Sequence, residues 1–258
     1  MNIIDFDTRI GRQKPNSLLR EEACPFCDRE HLTDIIAEED GMILLKNKYN
    51  VIVGADQFVL IEGRECQTDM PDYSREKMRH LISFGLHHWQ KLMHSGRYED
   101  VLFFKNFGPL SGGTIRHPHM QLVGFPKLDR SCLSLPEYFD GPLIAEKNGV
   151  SLRLSQKPRV GFWEINLQTE RLHQTESVNT LADFIQLSVD YFMNHFSRRG
   201  QSYNIFFYHE GDKKIMVKIL PRYATSPLYI GYGIRFRPAS LEEAEKEIRQ
   251  LYFQDSKE

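Results

Sequence analysis

The 258-residue chain lacks an excess of charge of either sign: 33 Lys and Arg stand against 35 Asp and Glu, a formal charge of −2. This excludes the basic signature of a nucleic-acid or anionic-membrane binder, and neither is expected as a partner. There is no apolar run long enough to cross a bilayer. The opening MNIIDFDTRIGRQKP places acids and a short apolar run in the wrong order for a signal peptide. A cytoplasmic protein is expected. Cysteine is scarce: Cys24, Cys27, Cys66 and Cys132. Four cysteines in such a chain do not build a disulfide framework, leaving metal binding or plain burial. The C-P-F-C spacing of the first pair favours metal. Low-complexity linkers are also absent.

What is present is an alternation of short apolar runs and two long amphipathic segments. MILLKN (42–47), NVIV (50–53) and QFVLIE (57–62) read as strands, being apolar or β-branched and bounded by turn residues. A helix is predicted from the N-cap Ser74 to about Ser95, stopped by Gly96. VLFFKNF (101–107) and MQLVGF (120–125) read as strands flanking a glycine loop. The second half repeats the order. VGFWEINL (160–167) and a return strand near RLHQ precede a helix over 179–199, then NIFFYHEG (204–211) and KIMVKILP (214–221). Ser240-Leu-Glu-Glu243 is a capping box opening a last helix to about Phe253.

VLFFKNFG matches NIFFYHEG. With Pro126 set against Pro221, His119 falls against Lys214, so the histidine pair exists in the first copy alone. The fold class expected is α+β, a duplicated antiparallel-sheet-plus-helix unit. The boundary is placed at EKNGVS (146–151), giving units 1–150 and 151–258. The first carries the chemistry, and the second is expected to complete the substrate pocket.

The chemistry concentrates in NFGPLSGGTIRHPHMQLVGFP (106–126). Side chains alternate faces along a strand, so His117, His119 and Gln121 would share one face. Two imidazoles and an amide in a row suit a zinc site. They equally suit a histidine that attacks phosphorus while the glutamine donates to a phosphate oxygen. The bland reading is two histidines capping a strand end. The glycines of GPLSGGT would let backbone N–H groups approach an anion closely. It is not a Walker A loop, because Lys-Ser/Thr does not follow.

The segment NFGPLSGGTIRHPHMQ resembles the active-site segment of the galactose-1-phosphate uridylyltransferase branch of the histidine-triad (HIT-like) superfamily. That branch includes ADP-glucose phosphorylase and the diadenosine tetraphosphate phosphorylases. The resemblance implies a duplicated HIT-like fold and a nucleotidyltransferase or phosphorylase. A nucleoside monophosphate would pass from a nucleotide sugar or dinucleotide to a phosphorylated acceptor, through a covalent nucleotidyl-histidine. It implies that His119 is the nucleophile, its ring oriented by the His117 carbonyl. Gln121 would bind the transferred phosphate, and Asn106 and Thr114 would be further phosphate contacts. Arg9 and Arg12, in TRIGRQKP, resemble a family segment near the nucleotide phosphates. Asn47, in LLKNKYN, matches a position that touches the nucleoside.

The resemblance also implies a structural zinc ion held by Cys24, Cys27, Cys66 and His117, with Cys66 standing where the family has histidine. Cysteine is an equally good zinc ligand. The alternatives for that site are a buried Cys66 thiol, or completion by Cys132 or His31. Family members often form homodimers.

Departures narrow the substrate. The family's Gly-Tyr-Glu hexose motif is here Gly231-Tyr232-Gly233, so the acidic hexose contact is missing. Its second metal site would fall at Met216 and Lys218, and no second metal is expected. Arg235, Arg237 and Lys218 would suit a different phosphorylated acceptor. The alternative functions are a diadenosine polyphosphate or ADP-sugar phosphorylase, and a non-catalytic, zinc-stabilised nucleotide-binding protein.

Overall fold

A computed structural model describes residues 3–18, 20, 22–130, 136–196, 201–232 and 240–253. The chain divides into two units, Met1–Leu133 and Ser134–Glu258.

The first unit begins with an arm carrying a single helical turn, α1 (Thr8–Gly11). A hairpin follows, formed by β1 (Ile35–Glu39) and β2 (Met42–Lys46), and then β3 (Asp56–Ile61), α2 (Arg75–Met93), β4 (Asp100–Phe107) and β5 (His119–Phe125). The strand order is β1-β2-β3-β5-β4, with every pair antiparallel. Met42 to Leu45 and Phe58 to Ile61 are all buried, as consecutive apolar residues should be when both sheet faces are covered. One face lies against α2. On the other, Ile43, Leu45, Val59 and Ile61 pack with Phe26 and Leu32 from the cysteine-bearing segment.

Helix α2 starts where Ser74 Oγ accepts the Lys77 N–H (3.1 Å) and ends ahead of Gly96, whose φ of +71° a side chain would resist. It lies close to the sheet at Gly85, where a Cβ would meet the Phe103 ring at 2.8 Å.

The second unit repeats this plan: a hairpin of β6 (Leu143–Lys147) and β7 (Val150–Leu154), then β8 (Ile165–Thr169), α3 (Thr175–Asp190), β9 (Tyr203–Glu210) and β10 (Lys214–Pro221). Its order, β6-β7-β8-β10-β9, is that of the first unit. The opening hairpins match in detail. Each turns on two residues with positive φ, Asp40-Gly41 (47° and 80°) and Asn148-Gly149 (49° and 74°). These are the type I′ geometry that Asp-Gly and Asn-Gly favour. A π-helical turn, Tyr191–His195, extends α3. Two further helices, α4 (Pro227–Tyr232) and α5 (Leu241–Tyr252), close the described chain. No helix among the described residues is long and apolar enough to cross a membrane.

Several expectations are corrected. The units divide between Leu133 and Ser134, ahead of the 150/151 boundary. EKNGVS is a hairpin turn inside the second unit, because Asn-Gly between alternating apolar residues closes two strands. NVIV is not a strand of the sheet. The N–H groups of Val51 and Ile52 go to Gln57 Oε1. Asp7 N–H donates to the Val51 carbonyl, and Val53 N–H to that of Asp5, so this segment seats the arm. Residues 160–164 precede β8, and RLHQ is a turn.

Helix α3 starts at Thr175. Its expected end at 199 lies outside the described residues, as do Cys132, Gly233, Arg235 and Arg237. Ser240 sits at φ 52° with no side-chain cap, since capping needs an extended backbone. The ladder pairs Lys105 with Met120 and Tyr208 with Met216. With β4 set on β9, His119 therefore corresponds to Ile215, one residue beyond Lys214. Hydrogen-bonded register, rather than the prolines at strand ends, fixes the correspondence.

Candidate active site and metal centre

The ligand atoms of Cys24, Cys27, Cys66 and His117 lie within 4.8 Å of one another. A tetrahedral thiolate site needs S···S separations of about 3.8 Å, so small side-chain movements suffice. The cysteines form no disulfide. His117 is oriented for coordination: Nε2–H donates to the Gly63 carbonyl (3.0 Å), leaving the Nδ1 lone pair facing Cys27 Sγ at 3.6 Å. A ligating histidine needs such an anchor on its other nitrogen. Burial, with the Cys27 and Cys24 thiols close by, pushes the Cys66 thiol up to about 12. Three thiolates could be held this close only with a cation between them, and the donor set fits a soft-ligand tetrahedral ion. His31 stands apart, its Nδ1 on Asp28 Oδ1 (2.7 Å).

His119 opens β5, two residues on. Its Nδ1 lies 2.8 Å from the His117 carbonyl. A carbonyl accepts only, so Nδ1 carries the proton and Nε2 keeps its lone pair. The ring is buried, 6% exposed. Burial first, and then the Lys105 charge, draw its pKa down to about 4 against the His117 hydrogen bond, so it is neutral at ordinary pH. Phe26, between the two cysteines, meets both rings edge-on, with centroids at 6.0 Å from His117 and 5.3 Å from His119. The cysteine-bearing segment and the second histidine are thus in direct contact.

His119 and Gln121 line a cavity of about 620 Å³, together with Asn106, Thr114 and Asn47. One wall is the glycine loop, shaped by Ser111, whose hydroxyl donates to the Gly108 carbonyl (2.7 Å) and accepts the Gly113 N–H (3.2 Å). The arm supplies another wall. Leu18 N–H donates to the Thr114 carbonyl (3.2 Å), and Arg116 N–H to Ser17 Oγ (3.0 Å).

Arg9 and Arg12 do not line the cavity. The Arg9 guanidinium is taken by Asp7 (3.0 Å), which also caps α1. The arm's contribution is Lys14, half-buried at the cavity wall. Burial lowers its pKa, and its ammonium forms no ion pair among the described residues. Lys14, Phe26 and Gln57 are cavity residues that the sequence reading passed over. Lys14 stood one residue before Pro15 in the segment already singled out, and Phe26 stood inside C-P-F-C.

In the second unit, Lys218 is fully buried. It donates to Glu164 Oε2, Asn166 Oδ1 and the Tyr138 carbonyl, each at 2.7 Å. It is therefore not available to a phosphorylated acceptor, contrary to expectation.

The duplicated sheet-plus-helix unit and its strand order make up a HIT-like fold, shared with a uridylyltransferase. A structure described as uridylyltransferase is similar at a TM-score of 0.70 and 14% identity, over 90% of this chain and 91% of that one. An ADP-glucose phosphorylase from Arabidopsis thaliana with bound ADP-glucose is similar at a TM-score of 0.68 and 16% identity, over 96% and 98% of the two chains. At these identities the likeness is one of fold. No curated protein matches the sequence.

The N-terminal and C-terminal domains of the family described as Domain of unknown function (DUF4931) match residues 6–128 and 134–253. A DUF4931 family protein from Bacillus cereus ATCC 10987 is 33% identical, with a TM-score of 0.76 over 86% of this chain and all of that one. The chain belongs to the DUF4931 family.

Proposed function

We propose that the protein is a nucleotidyltransferase or phosphorylase that works through a nucleotidyl-His119 intermediate. The observation that carries this reading is the state of His119. It is a neutral imidazole with Nδ1–H committed to a backbone carbonyl and its Nε2 lone pair available, in the wall of a 620 Å³ cavity. In the first half-reaction Nε2 attacks the α-phosphorus of a nucleotide sugar or dinucleotide. A P–N bond forms and the bridging P–O bond breaks. The leaving phosphate departs with the electron pair, and the Nδ1 proton stays on the ring. In the second, a phosphate oxygen of the acceptor attacks the same phosphorus and the P–N bond breaks.

Gln121 donates to a non-bridging oxygen of the transferred phosphate, and Asn106 and Thr114 bind the phosphates from the loop side. Lys14 supplies the cation expected of Arg9 and Arg12. Asn47 contacts the nucleoside. The metal held by Cys24, Cys27, Cys66 and His117 is zinc. With four protein ligands it is structural, fixing the strand entry from which His119 projects. The fold shared with a uridylyltransferase and an ADP-glucose phosphorylase supports the reading.

The test is intact-mass spectrometry after incubation with UDP-sugars, ADP-sugars and dinucleoside polyphosphates. A nucleoside-monophosphate adduct is expected from one of them, its size naming the nucleotide, and it should be lost in His119→Ala. No adduct with any donor would overturn the reading.

A further inference from the structure

Gln57 is a polar side chain of the cavity held by two backbone N–H groups. It lies on β3 and lines the cavity although only 6% exposed. Val59 opposes Gln121 in the ladder, and Ile61 opposes His119. Gln57 is therefore four strand positions, about 13 Å, along the sheet from the level of His119. That is the scale of a nucleoside monophosphate laid from its phosphorus to the far edge of its base.

Its amide orientation follows from its partners. Oε1 accepts the N–H groups of Val51 (2.7 Å) and Ile52 (3.2 Å). The flipped amide would set NH₂ against two N–H donors, so the network admits one assignment. Both acceptor positions of the oxygen are consumed, while Nε2 has no protein acceptor among the described residues. Next to it, Asn47 N–H donates to the Gln57 backbone carbonyl (2.8 Å). The Asn47 side-chain oxygen accepts the Tyr49 N–H (2.9 Å) and keeps one acceptor position. Gln57 can therefore offer a ligand N–H groups and cannot accept from one.

We propose that Gln57 is a specificity-determining residue that selects a base bearing a carbonyl oxygen, not an amino group, at its edge far from the ribose. Uracil, hypoxanthine and guanine qualify; cytosine and adenine do not. The inference rests on the reading that the cavity holds a nucleotide. An amino base would bring its own donor against Gln57 Nε2. Gln57 could not turn to accommodate it without breaking two backbone hydrogen bonds. A buried donor left facing a donor weakens binding by about tenfold or more.

Two pairs of nucleotides isolate this contact, UMP against CMP and IMP against AMP. Each pair exchanges a keto for an amino group at the same edge. Calorimetric titration of the full-length protein should show UMP and IMP each bound at least about tenfold more tightly than its amino partner. Whichever pair binds more tightly names the ring size the cavity takes. Gln57→Glu retains an oxygen for Val51 and Ile52 but replaces the free N–H with an acceptor, so the preference within each pair should reverse. Equal affinities within the pairs in the wild type would overturn the inference while leaving the nucleotidyltransferase reading intact. So would a Gln57→Glu variant with unchanged ratios. If none of the four nucleotides binds, both fall. The wild-type comparison decides the matter even if the variant does not fold.

Discussion

Replacing Lys105 with methionine tests how the site is held from behind. The Lys105 and Glu62 side chains form an ion pair in which both are fully buried, and Asp69 lies 3.5 Å from the same ammonium. Tyr73 O–H donates to the other Glu62 oxygen (2.9 Å). Without the ammonium, the two buried carboxylates Glu62 and Asp69 lose the charge that lies between them. Removing one partner of such a pair costs about 3–5 kcal/mol, against a total domain stability of about 5–15 kcal/mol. The loss should reach the histidines as well. Glu62 N–H donates to the Pro118 carbonyl (3.1 Å), and the Gly63 carbonyl anchors His117 Nε2.

Urea unfolding followed by Trp89 fluorescence, in a Trp163→Phe background, reads the first unit. Trp89 is fully buried, with its indole N–H on the Val101 carbonyl (2.6 Å). Lys105→Met should lower the unfolding free energy by about 3–5 kcal/mol. Adding Glu62→Gln should recover part of it, since the buried Glu62 charge is removed as well. A cost below about 1 kcal/mol for Lys105→Met, or a double variant no more stable than the single one, would refute the reasoning.

Three further outcomes are expected. The purified protein should carry one equivalent of zinc by elemental analysis, retained in Cys66→His and lost in Cys66→Ala; chelation should lower the thermal midpoint by about 10 °C or more. Gly149→Ala should cost about 1–2 kcal/mol in thermal unfolding, because φ is +74° and the new Cβ would lie 2.5 Å from the Arg171 side chain; a neutral result would contradict the hairpin geometry. Burial, with the hydrogen bond to Asp56, pushes the Tyr98 hydroxyl up to about 12. The native state thus keeps this proton when the unfolded chain loses it near pH 10. Its contribution to stability is full below pH 10 and falls as the pH rises through 12, so Tyr98→Phe should flatten the alkaline limb of the stability curve.

The elements and residues legible in the sequence are those whose meaning is local. The row His117, His119, Gln121 and the Cys24–Cys27 pair stand out by their spacing, and the structure places the cysteines beside His117 and sets His119 and Gln121 on one cavity. The duplicated order was legible for the same reason, since two long helical periods and two paired apolar runs are each contiguous. Strands β1, β6 and β7 were not. Ile35–Glu39 is a largely exposed strand ending in two acids, and so carries little alternation of burial to read. The Asn148-Gly149 dipeptide reads as a boundary by its polar composition, whereas its backbone preference is that of a hairpin.

The residues misjudged are those whose state depends on a partner remote in sequence or on a competing neighbour. Arg9 has the charge to bind phosphate, yet Asp7 sits two residues away and takes it. Lys218 reads as a spare cation until Glu164 and Asn166 are found beside it. Gln57 looked like an ordinary strand residue, because its role depends on a fact that no spacing encodes: Val51 and Ile52 consume its oxygen and leave only its N–H groups to a ligand. The same logic explains why two histidines on one short segment need not share one task. The His117 ring is turned to the cysteines by the Gly63 carbonyl, and the His119 ring is turned to the cavity by the His117 carbonyl. Each imidazole has one nitrogen fixed by the backbone, and what the other nitrogen faces separates the proposed metal ligand from the proposed nucleophile.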